Sequence, residues 1–378
     1  MDKIKDILPL SLRLFLLEYR FFFKEVFKSH KKHLKELIKQ NAKCELKIDN
    51  EKKWIKKFNK LTYAYPDLIE VGEAFASSEI YFLKEIKINA FDLIAICVVK
   101  NDRIKIKKFI EHHRSIGINK FIILDNDSTD GTVEWLLEQE DIVVLQTRIP
   151  YTTNRREGWI NRIIAHYGDN RWYFVADSDE LLEFYDRENN NINNVISYCK
   201  KNKVTRARAI MIDMYAESDY YISGKRENFY EECVYFDSNT YYESKRYNLD
   251  LICGGPRERV FHEAPWLTKY PLFYFGEKDI ECKSHFLFPH KNNLNTDCFL
   301  VLKHYKFQPG DIEKYREIVL KENYYNGSKQ YKKYIEILEK NKVLNFMCES
   351  TVKFSNSKSL EKINLYHKIN WEKIKDGN

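Results

Sequence analysis

None of the eight cysteines, at 44, 97, 199, 233, 253, 282, 298 and 348, pairs into C-x-x-C, so neither a zinc ribbon nor a dithiol redox motif is indicated. Several lie in apolar runs, where a reduced thiol packs as a small hydrophobe, and this predicts a reducing, cytoplasmic setting. No signal peptide is visible. The longest apolar stretch near the N-terminus, Ile7 to Phe27, is interrupted by Arg13, Glu18, Arg20, Lys24 and Glu25, which excludes a membrane span there. Glycine is absent before Gly72 and absent from FDLIAICVVKNDR at 91–103. That second absence removes the Gly-rich phosphate turn that a sugar nucleotidyltransferase would need near its first strand. Zinc-finger spacing and Arg-rich arms are missing as well, so no nucleic-acid partner is expected.

Aromatic residues, by contrast, are abundant, with 26 Tyr and 24 Phe, and the net charge of +7 is unevenly spread. Residues 20–60 hold 14 Lys or Arg against 5 Asp or Glu, an excess of nine. The aromatic segment FFFKEVFKSHKK leads into this basic run, a combination suited to peripheral contact with an anionic membrane through residues 7–60. The alternative is an amphipathic helix packed on the main domain with a solvated basic face.

At 378 residues the chain can hold one large α/β domain with appended regions. Residues 1–88 read as a helical, basic N-terminal extension. From Phe91 short apolar runs alternate with amphipathic segments: FDLIAICVV, a helix from Arg103 to Ser115 stopped by Gly117, KFIILD, a helix from about Thr129 to Gln139, DIVVLQT, a helix around Trp159 to Tyr167, and WYFVAD. In the first helix Ile106, Phe109, Ile110 and His113 share one face, and His113 reads as a packed surface histidine. Crossover units in this order build a mostly parallel sheet with helices on both faces. ARAIMIDMYA is a further strand, the Asn-, Tyr- and Glu-rich stretch to about residue 250 is irregular, and 311–378 is a helical C-terminal region, leaving 89–310 as the central domain.

The sharpest feature is Trp172 to Glu180, WYFVADSDE, where strand character ends in Asp177, Ser178, Asp179 and Glu180. Such a run delivers carboxylates to the carboxyl edge of the sheet, where open α/β folds bind ligands and where a hard divalent cation would sit. Upstream, FIILDNDSTDGT at 121–132 ends a strand at Asp125 and enters a cap-rich loop, so Asp125 is placed to accept hydrogen bonds from a base or ribose.

Together with FDLIAICVVKND, DMY at 213–215, GGPRERVF at 254–261, KYPL at 269–272 and LKHYKF at 302–307, these segments resemble the nucleotide-sugar glycosyltransferases of the GT-A fold, in particular the family 2-like group that includes family 92. The resemblance covers about 91–340 and departs at Asp102, where the pattern has Glu. It implies a Rossmann-like sheet and a nucleotide pocket lined by Lys100, Asn101, Asp125, Arg156, Asp177 and Ser178. Asp177, Asp179 and His304 would hold Mn2+ or Mg2+, and Lys269 and His285 would contact sugar. Lys100, Arg156 and Arg257 are candidates for added positive charge at the diphosphate, although Arg155 and Arg156 also suit the surface of a helix start. For the base that activates the acceptor, Asp213, Glu217, Glu258 and Glu263 are candidates. Glu258 leads because Arg257 and Arg259 flank it and would keep it ionised, with Asp213 next.

The expected activity is metal-dependent, inverting transfer from a nucleotide sugar, UDP-linked, to a bacterial surface glycan or lipid-linked acceptor at the cytosolic face of the inner membrane. A catalytically inactive membrane-surface scaffold is the competing reading, and it would be expected to have lost one of the carboxylates.

Overall fold

The computed structural model describes residues 28–41, 44–48, 50–64, 69–246, 249–279, 281–282, 285–289, 297–321, 328–340 and 344–372. The principal strands are β1 (Tyr81–Lys84), β2 (Ile94–Val99), β3 (Lys120–Asp125), β4 (Ile142–Gln146), β5 (Arg171–Val175), β6 (Glu180–Glu183), β7 (Arg206–Asp213), β8 (Thr268–Phe275) and β9 (Cys298–His304). They form one sheet in the order β1-β4-β3-β2-β5-β8-β7-β9-β6. β2 to β5 are mutually parallel, β7 and β9 share their direction, and β1, β8 and β6 run the other way. This is a mixed α/β fold with a large, mostly parallel central sheet flanked by helices. The long-range antiparallel insertion of β8 is a feature that the order of segments along the chain does not reveal.

Strand side chains alternate between two cores, as the two-residue period of a β-strand requires. Ala95, Cys97, Phe121 and Ile123 face the helix α3 (Arg103–Ser115), which buries Ile106, Phe109, Ile110 and His113. His113 is fully buried rather than superficial: its Nδ1 donates to Phe109 O at 2.7 Å and its Nε2 accepts from Leu182 N at 3.2 Å, tying α3 to β6. Ile94, Ile96, Ile122 and Leu124 face the opposite layer, made by α5 (Thr153–Tyr167) together with α1 (Glu51–Ala64) and α2 (Ile69–Ala76).

The N-terminal region is therefore layered on the sheet, and it is not helical throughout, because β1 pairs antiparallel with β4. Trp54 of α1 stacks on Phe275 of β8 with ring centroids 5.8 Å apart. α2 approaches α5 so closely that a Cβ on Gly158 would meet Ala74 Cβ and Phe75 N at 2.7 Å. Residues 7–27, the start of the segment expected to favour membranes, lie outside the described residues. No helix among the described residues is long and apolar enough to cross a membrane.

The helix α4 (Thr132–Leu137) begins later than expected because Gly131, at φ 83°, turns the chain into it. α5 begins earlier, because the Thr152 side chain caps Arg155 N. After the helix α6 (Ile192–Lys201) and β7, the chain up to β8 is less irregular than its composition suggests, since Tyr241–Arg246 and Leu249–Gly254 form a hairpin ahead of the short helix α7 (Gly255–Phe261). A C-terminal pair, α8 (Asp311–Lys321) and α9 (Lys329–Lys340), packs Tyr315, Tyr331 and Tyr334 against Phe261 and Phe307.

Candidate functional site

Five strands deliver polar groups to one edge. β5 ends just before Asp177, and a tight turn closed by Glu180 N donating to Asp177 O at 3.0 Å passes through Asp179 into β6. β7 ends at Asp213 and β9 at His304. In register, His304 stands opposite Asp213 on one side and Glu180 on the other. Lys269 reaches the same edge because β8 runs in reverse, so its start lies where its neighbours end. Tyr305 N donates to Asp179 O at 2.8 Å and fixes the turn against the end of β9.

The carboxylates are densely paired. Asp177 accepts from Arg156 Nη2 at Oδ1 and faces Lys269 Nζ at 3.4 Å through Oδ2. Glu180, 1 % exposed, is bound by Lys269. Asp179 Oδ2 takes Lys105 Nζ at 3.2 Å and lies 3.8 Å from His304 Nε2. Asp213 accepts from Arg257 Nε at 2.8 Å and from His304 Nδ1 at 2.6 Å. Four carboxylates thus meet four cations, Arg156, Lys105, Lys269 and Arg257, with His304 between Asp179 and Asp213.

Burial acts to raise the Asp177 carboxyl, but Arg156 and Lys269 outweigh it and hold it well below the usual range. Asp179 is likewise held far down against burial, chiefly by Lys105 and then His304, Lys306 and Lys314. Asp213 is lowered by Arg257 and His304 despite its burial. Glu180 moves the other way, because burial and the nearby Asp177 together exceed the pull of Lys269.

Asp179, Glu180 and His304 each offer a ligand atom, and all three atoms lie within 4.8 Å of one another, a grouping that could hold a metal ion. Oxygen ligands with one imidazole suit a divalent cation such as Mn2+. Asp177, expected among the ligands, instead stands beside this group with Arg156 and Lys269. Glu180, the third carboxylate of WYFVADSDE, was expected at this edge but not named among the ligands.

Lys105 was also missed, although it sits one turn before the buried Phe109 and is only 4 % exposed. Arg156, one of the two arginines suited to a helix surface, is buried on Asp177, while Arg155 binds Pro150 O near the surface.

The expected nucleotide-side residues lie at the ends of β2 and β3. Lys100 Nζ donates to Asn126 O at 2.8 Å, and Asn101, at φ 49°, accepts from Thr129 N at 2.7 Å through Oδ1, so both secure the 126–130 loop. Asp125 is fully buried. Its Oδ2 accepts from Ser128 N at 3.0 Å, whereas Oδ1 has no hydrogen-bond partner among the described atoms. Ser178 Oγ donates to Asp102 Oδ2. His285 Nδ1 donates to Thr268 O at 3.0 Å, and burial, reinforced by Lys269, pushes its imidazole down to about 3.

The argument that singled out Glu258 does not hold, because neither flanking arginine pairs with it. Arg257 turns inward to Asp213 and Arg259 to Asp237. Glu258 accepts from Tyr242 OH at 3.0 Å, Glu217 from Tyr235 OH at 3.0 Å, and Glu263 faces Lys333 at 3.2 Å.

No model of a known protein family and no curated protein matches the chain. Among solved structures it is similar to a mannosyltransferase from Pyrobaculum calidifontis in complex with GDP-Man and Mn2+, with 14% identity and a TM-score of 0.22. The similarity spans 47% of this chain and 49% of that one, about half of each, and is too slight to decide function.

Proposed function

We propose that the chain is a glycosyltransferase that moves a sugar from a nucleotide sugar, UDP-linked, to a hydroxyl of a bacterial surface glycan or lipid-linked acceptor. The observation that carries this reading is the turn from Asp177 to Glu180 at the carboxyl edge, set among Lys105, Arg156, Lys269 and His304. Breaking an anomeric bond to a nucleoside diphosphate builds negative charge on the departing oxygens, and buried cations fixed beforehand offset that charge without reorganising. Asp179, Glu180 and His304 fit a divalent cation, which would supply further charge neutralisation at the diphosphate when bound.

The free Oδ1 of Asp125 supports the assignment of a nucleoside to the ends of β2 and β3, because a ribose hydroxyl or base N–H would satisfy it. Asp213 and Glu258 are the candidates for the acceptor's base, and transfer inverts the anomeric centre if the acceptor oxygen attacks on the face opposite the departing diphosphate. The basic run within residues 7–60 suits an anionic membrane surface, where a lipid-linked acceptor would be presented.

The deciding experiment measures nucleotide release from UDP-, GDP- and CMP-sugars with Mn2+, Mg2+ or EDTA, for the native chain and Asp179→Ala. Release from one donor, lost in EDTA and in the variant by at least about a hundredfold, is expected. Absence of both turnover and nucleotide binding under every condition would overturn the proposal.

A further inference from the structure

We infer that Lys105 is the built-in counter-cation of this site: its ammonium stands on the Asp179 oxygen that a divalent cation would need, so the two cations exclude each other there. The inference rests on the glycosyltransferase reading only for the identity of the anionic ligand.

Three observations carry it. First, Asp179 Oδ2 is the oxygen that faces His304 Nε2, at 3.8 Å, and is therefore the one a cation shared between these residues would use. That same oxygen holds Lys105 Nζ at 3.2 Å. A divalent ion on oxygen ligands sits about 2.0–2.6 Å from each, so it and the ammonium would crowd into one partly desolvated space.

Second, Lys105 is committed to this place. It is 4 % exposed, it projects from a helix whose face is fixed by Ile106, Phe109 and Ile110, and its ammonium is paired with Asp179.

Third, the remaining carboxylates are already matched by Arg156, Lys269 and Arg257, while Lys306 and Lys314 act on Asp179 from the C-terminal side. With Lys105 in place each of the four carboxylates has a cationic partner without any metal. Lys306 Nζ donates to Tyr331 OH at 2.8 Å, and Lys105, once released from Asp179, provides a further donor to phosphate oxygens.

The test uses the full chain and two readouts other than turnover: Mn2+ binding followed by electron paramagnetic resonance, and binding of UDP and GDP in EDTA followed by calorimetry. Lys105→Met is expected to bind Mn2+ at least about tenfold more tightly than the native protein, because the competing ammonium is gone. The same variant is expected to lose about tenfold or more of its metal-free nucleotide affinity, and Lys105→Arg to restore both properties to within about threefold of native.

Lys314→Met removes an exposed charge that acts on Asp179 only through the field. It should change Mn2+ affinity by less than about threefold, which separates direct competition from a general loss of positive charge. Unchanged or weaker Mn2+ binding in Lys105→Met, or an equal gain in Lys314→Met, would overturn the inference. If no variant binds nucleotide while Lys105→Met still tightens Mn2+, the counter-cation assignment stands and the glycosyltransferase reading falls.

Discussion

Replacing Arg257 by Met tests whether the edge of the sheet is held by charge pairing. Asp213 is 1 % exposed and has two partners, Arg257 Nε at 2.8 Å and His304 Nδ1 at 2.6 Å. Charge centres about 4 Å apart attract by about 4 kcal/mol at an effective dielectric near 20, and breaking a buried pair from one side costs about 3–5 kcal/mol. Because His304 still donates to the carboxylate, the loss should fall at the low end, about 3 kcal/mol at pH 7.

The native Asp213 carboxyl is held below its unfolded value, so its stabilisation is present above the unfolded carboxylate range and disappears as pH falls through the folded value. In the variant the carboxyl, freed from Arg257 and still buried, rises and takes up a proton more readily, so the deficit relative to native should shrink toward pH 4. Urea unfolding at pH 7 and pH 4.5, on Arg257→Met, Asp213→Asn and the double variant, measures this directly. The double variant should recover at least about 2 kcal/mol relative to the sum of the singles. A loss under about 1 kcal/mol in Arg257→Met, or strict additivity, would refute the reasoning.

Other consequences are equally open to measurement. His112 and His285 are both pushed down to about 3, His112 by burial and then Lys303, His285 by burial and then Lys269. Folded values below the unfolded one mean full stability above about pH 6.5 and a loss of up to about 1.4 kcal/mol per pH unit per group as pH falls from there toward 4. Urea midpoints at pH 7.5, 6.0 and 5.0 should show this slope. Replacing both histidines by Gln should reduce it, with the buried His113 keeping a share, and an unchanged slope would count against their burial as neutral groups. Gly158→Ala forces a methyl into the Ala74–Phe75 backbone of α2 and should cost about 1–3 kcal/mol, read as a lower urea midpoint; a neutral result would mean that α2 can move away from α5 at no cost.

Much of the frame was legible because its signals are local. The helix over Arg103–Ser115 and the strand Lys120–Asp125 fall where the apolar spacing and the stop at Gly117 place them. The carboxylates of WYFVADSDE reach the sheet edge because a strand ending in polar residues has nowhere else to deliver them. What was not legible depends on distant partners. β6 and β8 are short or reversed strands whose positions are set by β9 and by β5 and β7, and nothing in their own residues specifies those neighbours.

The same reason hid Lys105. Its charge suggested solvent, and only the approach of Asp179, seventy-four residues later, makes its burial tolerable. The charge argument for Glu258 failed in the reverse sense, since adjacency in sequence to Arg257 and Arg259 said nothing about where those long side chains would turn.

The order of strands across the sheet also constrains how the chain can be assembled as it is synthesised. β2 to β5 are complete by residue 175 and can pair with one another at once, but the place beside β5 stays open until β8 emerges, nearly a hundred residues later. β7 and β6 wait longer still, because β9, the last strand of this sheet to be made, inserts between them. Until then interior edges with unpaired amides face the solvent, an arrangement that invites association with other chains. The nascent polypeptide therefore depends on protection of these edges up to the emergence of His304, and since His304 also closes the acidic cluster, the sheet and its site are finished by the same residue.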